Sequence, residues 1–235
     1  MSIAENVAEI KERIARAALA SGRDPSDITL VAATKTNSAE KVAEAIKAGI
    51  SVCGENRVQE LTEKNGQNAY AGAQLHFIGH LQKNKLNKIV GVCDLIQSVD
   101  SLELLQAIDS RAKALGIRQD VLIEINIGDE ASKSGIDEAE LSQILERAES
   151  FSSVFVRGIM SIPPISVSEA ANRLYFARMR QLFIDNSLKK YDNVSMDFLS
   201  MGMSGDFEDA IAEGSNMVRV GSAIFGARFY PQKAD

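Results

Sequence analysis

Three groups of residues in this 235-residue chain have the types and spacing for chemistry. Lys35 closes the apolar run Ile28-Thr29-Leu30-Val31-Ala32-Ala33. It keeps strand parity with Val31 and Ala33, so a strand there would present its ammonium at the end of one face. Desolvation at such a place lowers a lysine pKa and frees the amine to attack a carbonyl, the start of a Schiff base. A solvated loop lysine is the plain alternative. The second group is Ser200-Met201-Gly202-Met203-Ser204-Gly205 together with Gly221-Ser222, two small, hydroxyl-bearing segments. Glycines let backbone N–H groups approach an anion, Ser204 and Ser222 add hydroxyls, and a helix starting near Asp206 turns its positive end the same way. Ordinary turns share that composition. The third is Arg219, a permanent cation inside Met217-Val218-Arg219-Val220 and in phase with Met217 and Gly221. Buried, it needs a ligand atom or a carboxylate, and Glu124 or Asp197 could serve as an internal partner.

The elements that must position these residues alternate along the chain. Ser2 and Glu5 form a capping box ahead of Val7, Ile10, Ile14 and Ala17, which predicts an amphipathic helix ending near Ser21-Gly22. Strand-like runs then recur at 28–33, 50–53, 75–79, 94–98, 121–127, 154–159, 195–199 and 217–220, with 222–226 read as part of the last strand region. Helical patterns lie between them: one opened by Asn37-x-x-Glu40, one from about 56, a short one from about 83, 101–115, one capped at Asp137, 167–190 with its Ser166-x-x-Glu169 box, and a short one near Asp206. Eight strands with seven helical connections predict an α/β fold, a single (β/α)8 barrel of the triosephosphate-isomerase type with an extra N-terminal helix, occupying 1–235 as one domain. The Gly-x-Gly-x-x-Gly loop of an open dinucleotide-binding sheet is absent after the first strand, where Thr34-Lys35-Thr36-Asn37 stands. In such a barrel the three groups meet at the C-terminal ends of the strands, where active sites lie.

Composition narrows the function. With 26 Lys and Arg against 32 Asp and Glu, the formal charge is −6, so no overall basic field draws nucleic acid or an anionic membrane. No apolar run reaches the roughly 20 residues of a membrane span, and the N-terminus lacks a basic and apolar leader, which predicts a cytoplasmic protein. Cys53 and Cys93 read as buried thiols. A lysine for an aldehyde, a cradle for a phosphate and an arginine between them match the aldehyde, phosphate and pyridine nitrogen of pyridoxal 5′-phosphate (PLP) in turn. An arginine partner cannot give up its proton, so it keeps the pyridine nitrogen unprotonated and weakens the ring as an electron sink.

At these residues the sequence resembles the pyridoxal phosphate homeostasis family, whose members look like the N-terminal barrel of alanine racemase standing alone. The resemblance spans nearly the whole chain and is carried by Ala33-Thr34-Lys35-Thr36, Gly54-Glu55-Asn56-Arg57-Val58-Gln59-Glu60, His76-Phe77-Ile78-Gly79-His80-Leu81-Gln82-Lys83-Asn84-Lys85, Gly158-Ile159-Met160-Ser161-Ile162, the 200–206 segment and Val218 to Gly226. It implies that Lys35 holds PLP as a Schiff base, that Arg219 faces the pyridine nitrogen, that Ser200, Met201, Ser204, Gly221 and Ser222 surround the phosphate, and that Asn56 and Met160 line the ring. Asn37-Ser38 replaces the family's Pro-containing turn, which alters the entrance to the second helix. The sequence as given ends at Asp235 without the β-rich domain that brings alanine racemases a catalytic tyrosine, so a second proton-transfer base is expected to be missing. The family reading is therefore a non-catalytic PLP carrier that buffers vitamin B6 and amino-acid or keto-acid balance, with PLP-dependent apo-enzymes as recipients. A weak amino-acid racemase and a Schiff-base aldolase for a sugar phosphate are the alternatives.

Other features read more simply. His76 and His80 flank a strand end and make no metal pair. Lys83, Lys85 and Lys88 with Asn84 and Asn87 form a small basic face at the barrel mouth, either solvated or available to an anion or partner. Glu55 and Glu60 suit either acid/base work or a helix N-terminus. With no long apolar stripe left over, a monomer is expected.

Overall fold

The computed structural model describes residues 1–128, 130, 134–164 and 169–226. Eight parallel strands pair in chain order: β1 (Thr29–Ala33), β2 (Val52–Glu55), β3 (Gln74–Phe77), β4 (Leu95–Val99), β5 (Gln119–Ile125), β6 (Val154–Ser161), β7 (Val194–Met203) and β8 (Met217–Val220). The last strand returns to the first, with Leu30 opposite Val218 and Val31 opposite Arg219, and this closes the expected barrel. Helix α1 (Ile3–Ala20) precedes β1. Helices α2 (Ala39–Lys47), α3 (Val58–Gly66), α4 (Leu102–Leu115), α5 (Leu141–Ala148), α6 (Glu169–Ser187), α7 (Phe207–Ala212) and α8 (Ser222–Phe225) follow their strands, while the β3–β4 connection is a 3-10 turn, Lys83–Lys88.

Strand parity sorts the apolar residues into two cores. Val31, Val52, Leu95, Leu122, Met160 and Met217 fill the barrel from six different strands, and the larger outer core lies between sheet and helices. In α1 the expected capping box forms: the Ser2 hydroxyl accepts the Glu5 N–H at 3.2 Å, and the Glu5 carboxylate accepts the Ser2 N–H at 2.7 Å. Its buried stripe, Val7, Ile10, Ile14 and Ala18, packs toward α2, α7 and α8, and Asn6 ties it to α8 by donating to the Ile224 carbonyl at 2.8 Å.

Three local expectations change. Helix α2 is preceded by Ser38 at its N-cap, because the Asn37 amide turns back to donate to the Lys35 carbonyl at 3.1 Å. Strand β7 runs on through Met203, since Ser200 and Met203 still pair with Met217 and Arg219 on β8. Residues 222–226 are not strand: beyond Val220 the Gly221 carbonyl accepts the N–H groups of Ile224 and Phe225, winding the chain into α8. Ser166, the expected cap of α6, lies outside the described residues.

Candidate functional site

Arg219 projects into the barrel with 4% of its surface exposed. Neither carboxylate considered from the sequence meets it: among the described residues no ion pair joins it to Glu124, and Asp197 instead holds Arg157 at 2.6 Å. Arg219 Nη1 donates to the Ser200 hydroxyl at 2.6 Å and Nη2 to the Ser161 carbonyl at 2.8 Å. Ser200 donates onward to Gln97 Oε1 at 2.7 Å, and Gln97 Nε2 lies 2.9 Å from His76 Nδ1. An amide nitrogen can only donate, so Nδ1 accepts and His76 is neutral with its proton on Nε2. Burial pushes the His76 pKa down to about 4, in agreement with that tautomer. Burial also lowers Arg219 to about 10, which leaves it charged at neutral pH. A neutral relay from β3, β4 and β7 thus aims along the barrel axis a cation that Glu124 and Asp206 favour only through space, the situation in which a ligand acceptor is welcome.

Lys35 sits half-buried in the turn after β1. Its neighbours on both sides are clamped. The Thr34 hydroxyl donates to Glu55 Oε1 at 2.7 Å, the Thr34 carbonyl accepts from Lys64 Nζ at 2.9 Å, and the Thr36 N–H donates to Glu60 Oε2 at 2.7 Å. Glu55 is fully buried, paired with Lys64 at 2.5 Å and accepting the Tyr70 hydroxyl at 3.1 Å. Thr36 itself is held at φ 63°, a left-handed conformation that a β-branched residue adopts only under constraint. The network therefore fixes where the Lys35 side chain leaves the backbone.

At the β7 and β8 ends, the N–H groups of Gly221 and Ala223 converge on the Ser204 hydroxyl oxygen at 3.1 and 3.5 Å. Two amides aimed at one oxygen are the donor arrangement that an anion oxygen requires. A Cβ on Gly221 would lie 3.2 Å from the Ala33 carbonyl oxygen, so glycine lets this cradle close down on the strand that leads to Lys35. Ser222 opens α8 beside it. Met201 differs from the other loop residues: its side chain is buried in the outer core, so only its main chain faces the mouth. Met160 lies in the inner core, and Asn56 follows β2 with a buried Oδ1 that has no partner among the described residues.

Sequence reasoning missed Gln97 and the Glu55–Lys64 pair. Gln97 is signalled by a polar residue inside Leu95-Ile96-Gln97-Ser98-Val99, whereas the pairing of Glu55 with Lys64 depends on the placement of α3 against the sheet. Glu124 is buried on the inner parity of β5, and burial together with Asp100 raises its pKa to about 7. Cys53 and Cys93 are buried free thiols. No cluster of three or more potential metal ligands occurs among the described residues. A 510 Å³ cavity lined by Lys11, Thr29, Gly49, Val52 and Gln74 opens at the opposite end, where the strands begin.

Residues 2–229 match the family described as alanine racemase, N-terminal domain. Relatives called pyridoxal phosphate homeostasis protein are 40% identical in Pseudomonas aeruginosa, over 97% of both chains, and 40% identical in Escherichia coli K12, over 98% of this chain and 99% of that one. Among solved structures, PipY of Synechococcus elongatus PCC7942 with PLP bound superposes with a TM-score of 0.83 at 31% identity, covering 96% of this chain and 100% of that one. An alanine racemase of Clostridium difficile 630 shares the fold alone, with a TM-score of 0.73 at 18% identity over 97% of this chain and 61% of that one. By sequence along nearly its full length and by the closed barrel that sequence builds, the chain belongs to the alanine racemase N-terminal domain family, within the group of pyridoxal phosphate homeostasis proteins.

Proposed function

We propose that this chain binds PLP at the C-terminal mouth of its barrel and serves PLP homeostasis, holding and releasing the cofactor without a dedicated turnover. The buried Arg219, fixed by Ser200 and the Ser161 carbonyl and lying opposite Val31 on the strand that leads to Lys35, carries the reading. When bound, PLP supplies an aldehyde, a pyridine nitrogen and a phosphate. Lys35 would hold the aldehyde carbon through Nζ, and its clamped neighbours set the direction from which the amine reaches it. Arg219, charged and unable to accept a proton, would donate to the pyridine nitrogen and keep it unprotonated. The amides of Gly221 and Ala223, with Ser204 and Ser222, would take the phosphate oxygens, with Ser200 and the Met201 main chain beside them. Met160 and Asn56 would border the ring.

The relatives' names and the PLP-bound neighbour support this reading, as does the match between each chemical feature of PLP and a separate wall of the site. We further assign the chain a single barrel domain, a monomeric state, a cytoplasmic setting and PLP-dependent apo-enzymes as recipients. No described helix is long and apolar enough to cross a membrane. Titration of the purified protein with PLP tests the assignment. A new long-wavelength absorbance that saturates at one equivalent is expected, and no spectral change on addition of PLP contradicts it.

Glu124 favours a second reading, weak racemisation. It is a buried inner-wall carboxylate with a pKa near 7, able to exchange a proton at neutral pH. Chiral analysis of alanine incubated with the PLP-loaded protein decides between them: sustained racemisation that Glu124→Gln abolishes supports the enzyme, and unchanged enantiomer ratios support the carrier.

A further inference from the structure

Beside the candidate cofactor site lies a second concavity of about 310 Å³, lined chiefly by Arg57, Val58, Gln59, His80, Lys85 and Lys88. Its wall holds three permanent cations and an imidazole but no carboxylate, in a chain whose net charge is −6. Arg57 leans on Glu60 at 3.4 Å and His80 on Asp100 at 3.0 Å, whereas Lys85 and Lys88 have no ion-pair partner among the described residues. Two such lysines beside Arg57 on a concave surface, their charge not taken up by an ion pair among the described residues, draw a small anion more strongly than the same charges spread on a convex face.

The backbone adds donors to the same space. Helix α3 begins at Val58 with Arg57 at its N-cap and no capping side chain, and the N–H groups of Val58 and Gln59 find no acceptor among the described residues. Across the pocket, the Lys83–Lys88 turn contributes the side chains of Lys85 and Lys88. The two segments are brought together by Gly79: a Cβ there would sit 2.1 Å from the Asn56 carbonyl oxygen, so only glycine lets the loop after β3 close onto the loop after β2. Asn56, whose buried Oδ1 has no partner among the described residues, forms the common wall between this pocket and the candidate ring site.

We propose that this pocket is a second anion site, taking the phosphate of a small phosphate monoester next to the cofactor site. Inorganic phosphate shares that chemistry, so the two sources must be separated. The site is distinct from the Ser204 cradle and does not depend on Lys35, so it stands or falls apart from the PLP assignment.

Amide chemical shifts of the ¹⁵N-labelled full chain, titrated at low ionic strength with inorganic phosphate and separately with pyridoxine 5′-phosphate, test it. The latter is a phosphate monoester without an aldehyde. Both probes are expected to move the Val58 and Gln59 amides saturably. That response should persist in Ser204→Ala, weaken by about tenfold in Lys85→Ala/Lys88→Ala, and fade as salt screens the charges. The double variant exchanges one exposed and one half-buried side chain, and its unchanged amide spectrum elsewhere verifies that it folds. Three results would overturn the proposal: no movement at Val58 and Gln59 with either probe, movement indifferent to the two lysines, or movement with inorganic phosphate but none with the ester.

Discussion

At the scale of single residues, the site rests on groups whose charge is set by burial. Glu124 has its pKa raised from the ordinary carboxylate range to about 7, so the folded state holds its proton more tightly than the unfolded chain does. Its contribution to stability is full below the unfolded pKa and is lost as pH rises to 7. His76, depressed to about 4, works in the opposite sense: it favours the fold above its unfolded pKa and costs stability as pH falls toward 4. The two slopes oppose each other between about pH 4.5 and 6.5, the overlap of these windows. Glu124→Gln removes one of them, so urea melts should show the variant gaining on the parent as pH rises from 5 to 7, by up to about 3 kcal/mol. A pH-independent difference between the two proteins would show that Glu124 does not titrate as described. Lys35 and Arg219 were legible in the sequence because each breaks an apolar run at a fixed parity. The acceptor of Arg219 was not: the choice between a carboxylate and Ser200 depends on how four strands meet inside the barrel.

Individual elements explain why Lys35 is held where it is. Helix α3 does more than cover β2, because Lys64 and Glu60 on it reach the backbone on either side of Lys35. Lys64→Met would leave Glu55 buried and unpaired, at a cost of about 3–5 kcal/mol in denaturant unfolding. Adding Glu55→Gln should restore most of that stability, because a neutral amide no longer needs the ammonium. A double variant as unstable as the single one would mean that packing, not charge pairing, sets the loss. The order of strands and helices followed from apolar periodicity and caps, most plainly in α1, where Ser2 and Glu5 sit as the capping box requires. Periodicity failed at 222–226, where a short apolar stretch is compatible with strand or helix and the closure of β8 onto β1 decides the outcome. The extension of β7 to Met203 was hidden for a related reason: its glycine and serines read as a turn until β8 pairs with them.

For the whole molecule, eight strands closing in sequence order give one mouth at which β1, β2, β7 and β8 bring their ends together. The larger exposed apolar side chains, such as Leu19, Leu115 and Leu174, belong to separate helices, so sedimentation should report a species near the chain mass of 25.5 kDa. A stable species of twice that mass would contradict the monomer. The central claim is that one lysine holds the cofactor, and borohydride reduction of the PLP-loaded protein followed by peptide mass mapping tests it most directly. The account predicts a pyridoxyl adduct on the peptide containing Lys35, absent from Lys35→Ala although that variant folds. An adduct confined to another lysine, Lys64 included, or no adduct in the parent protein, would contradict it.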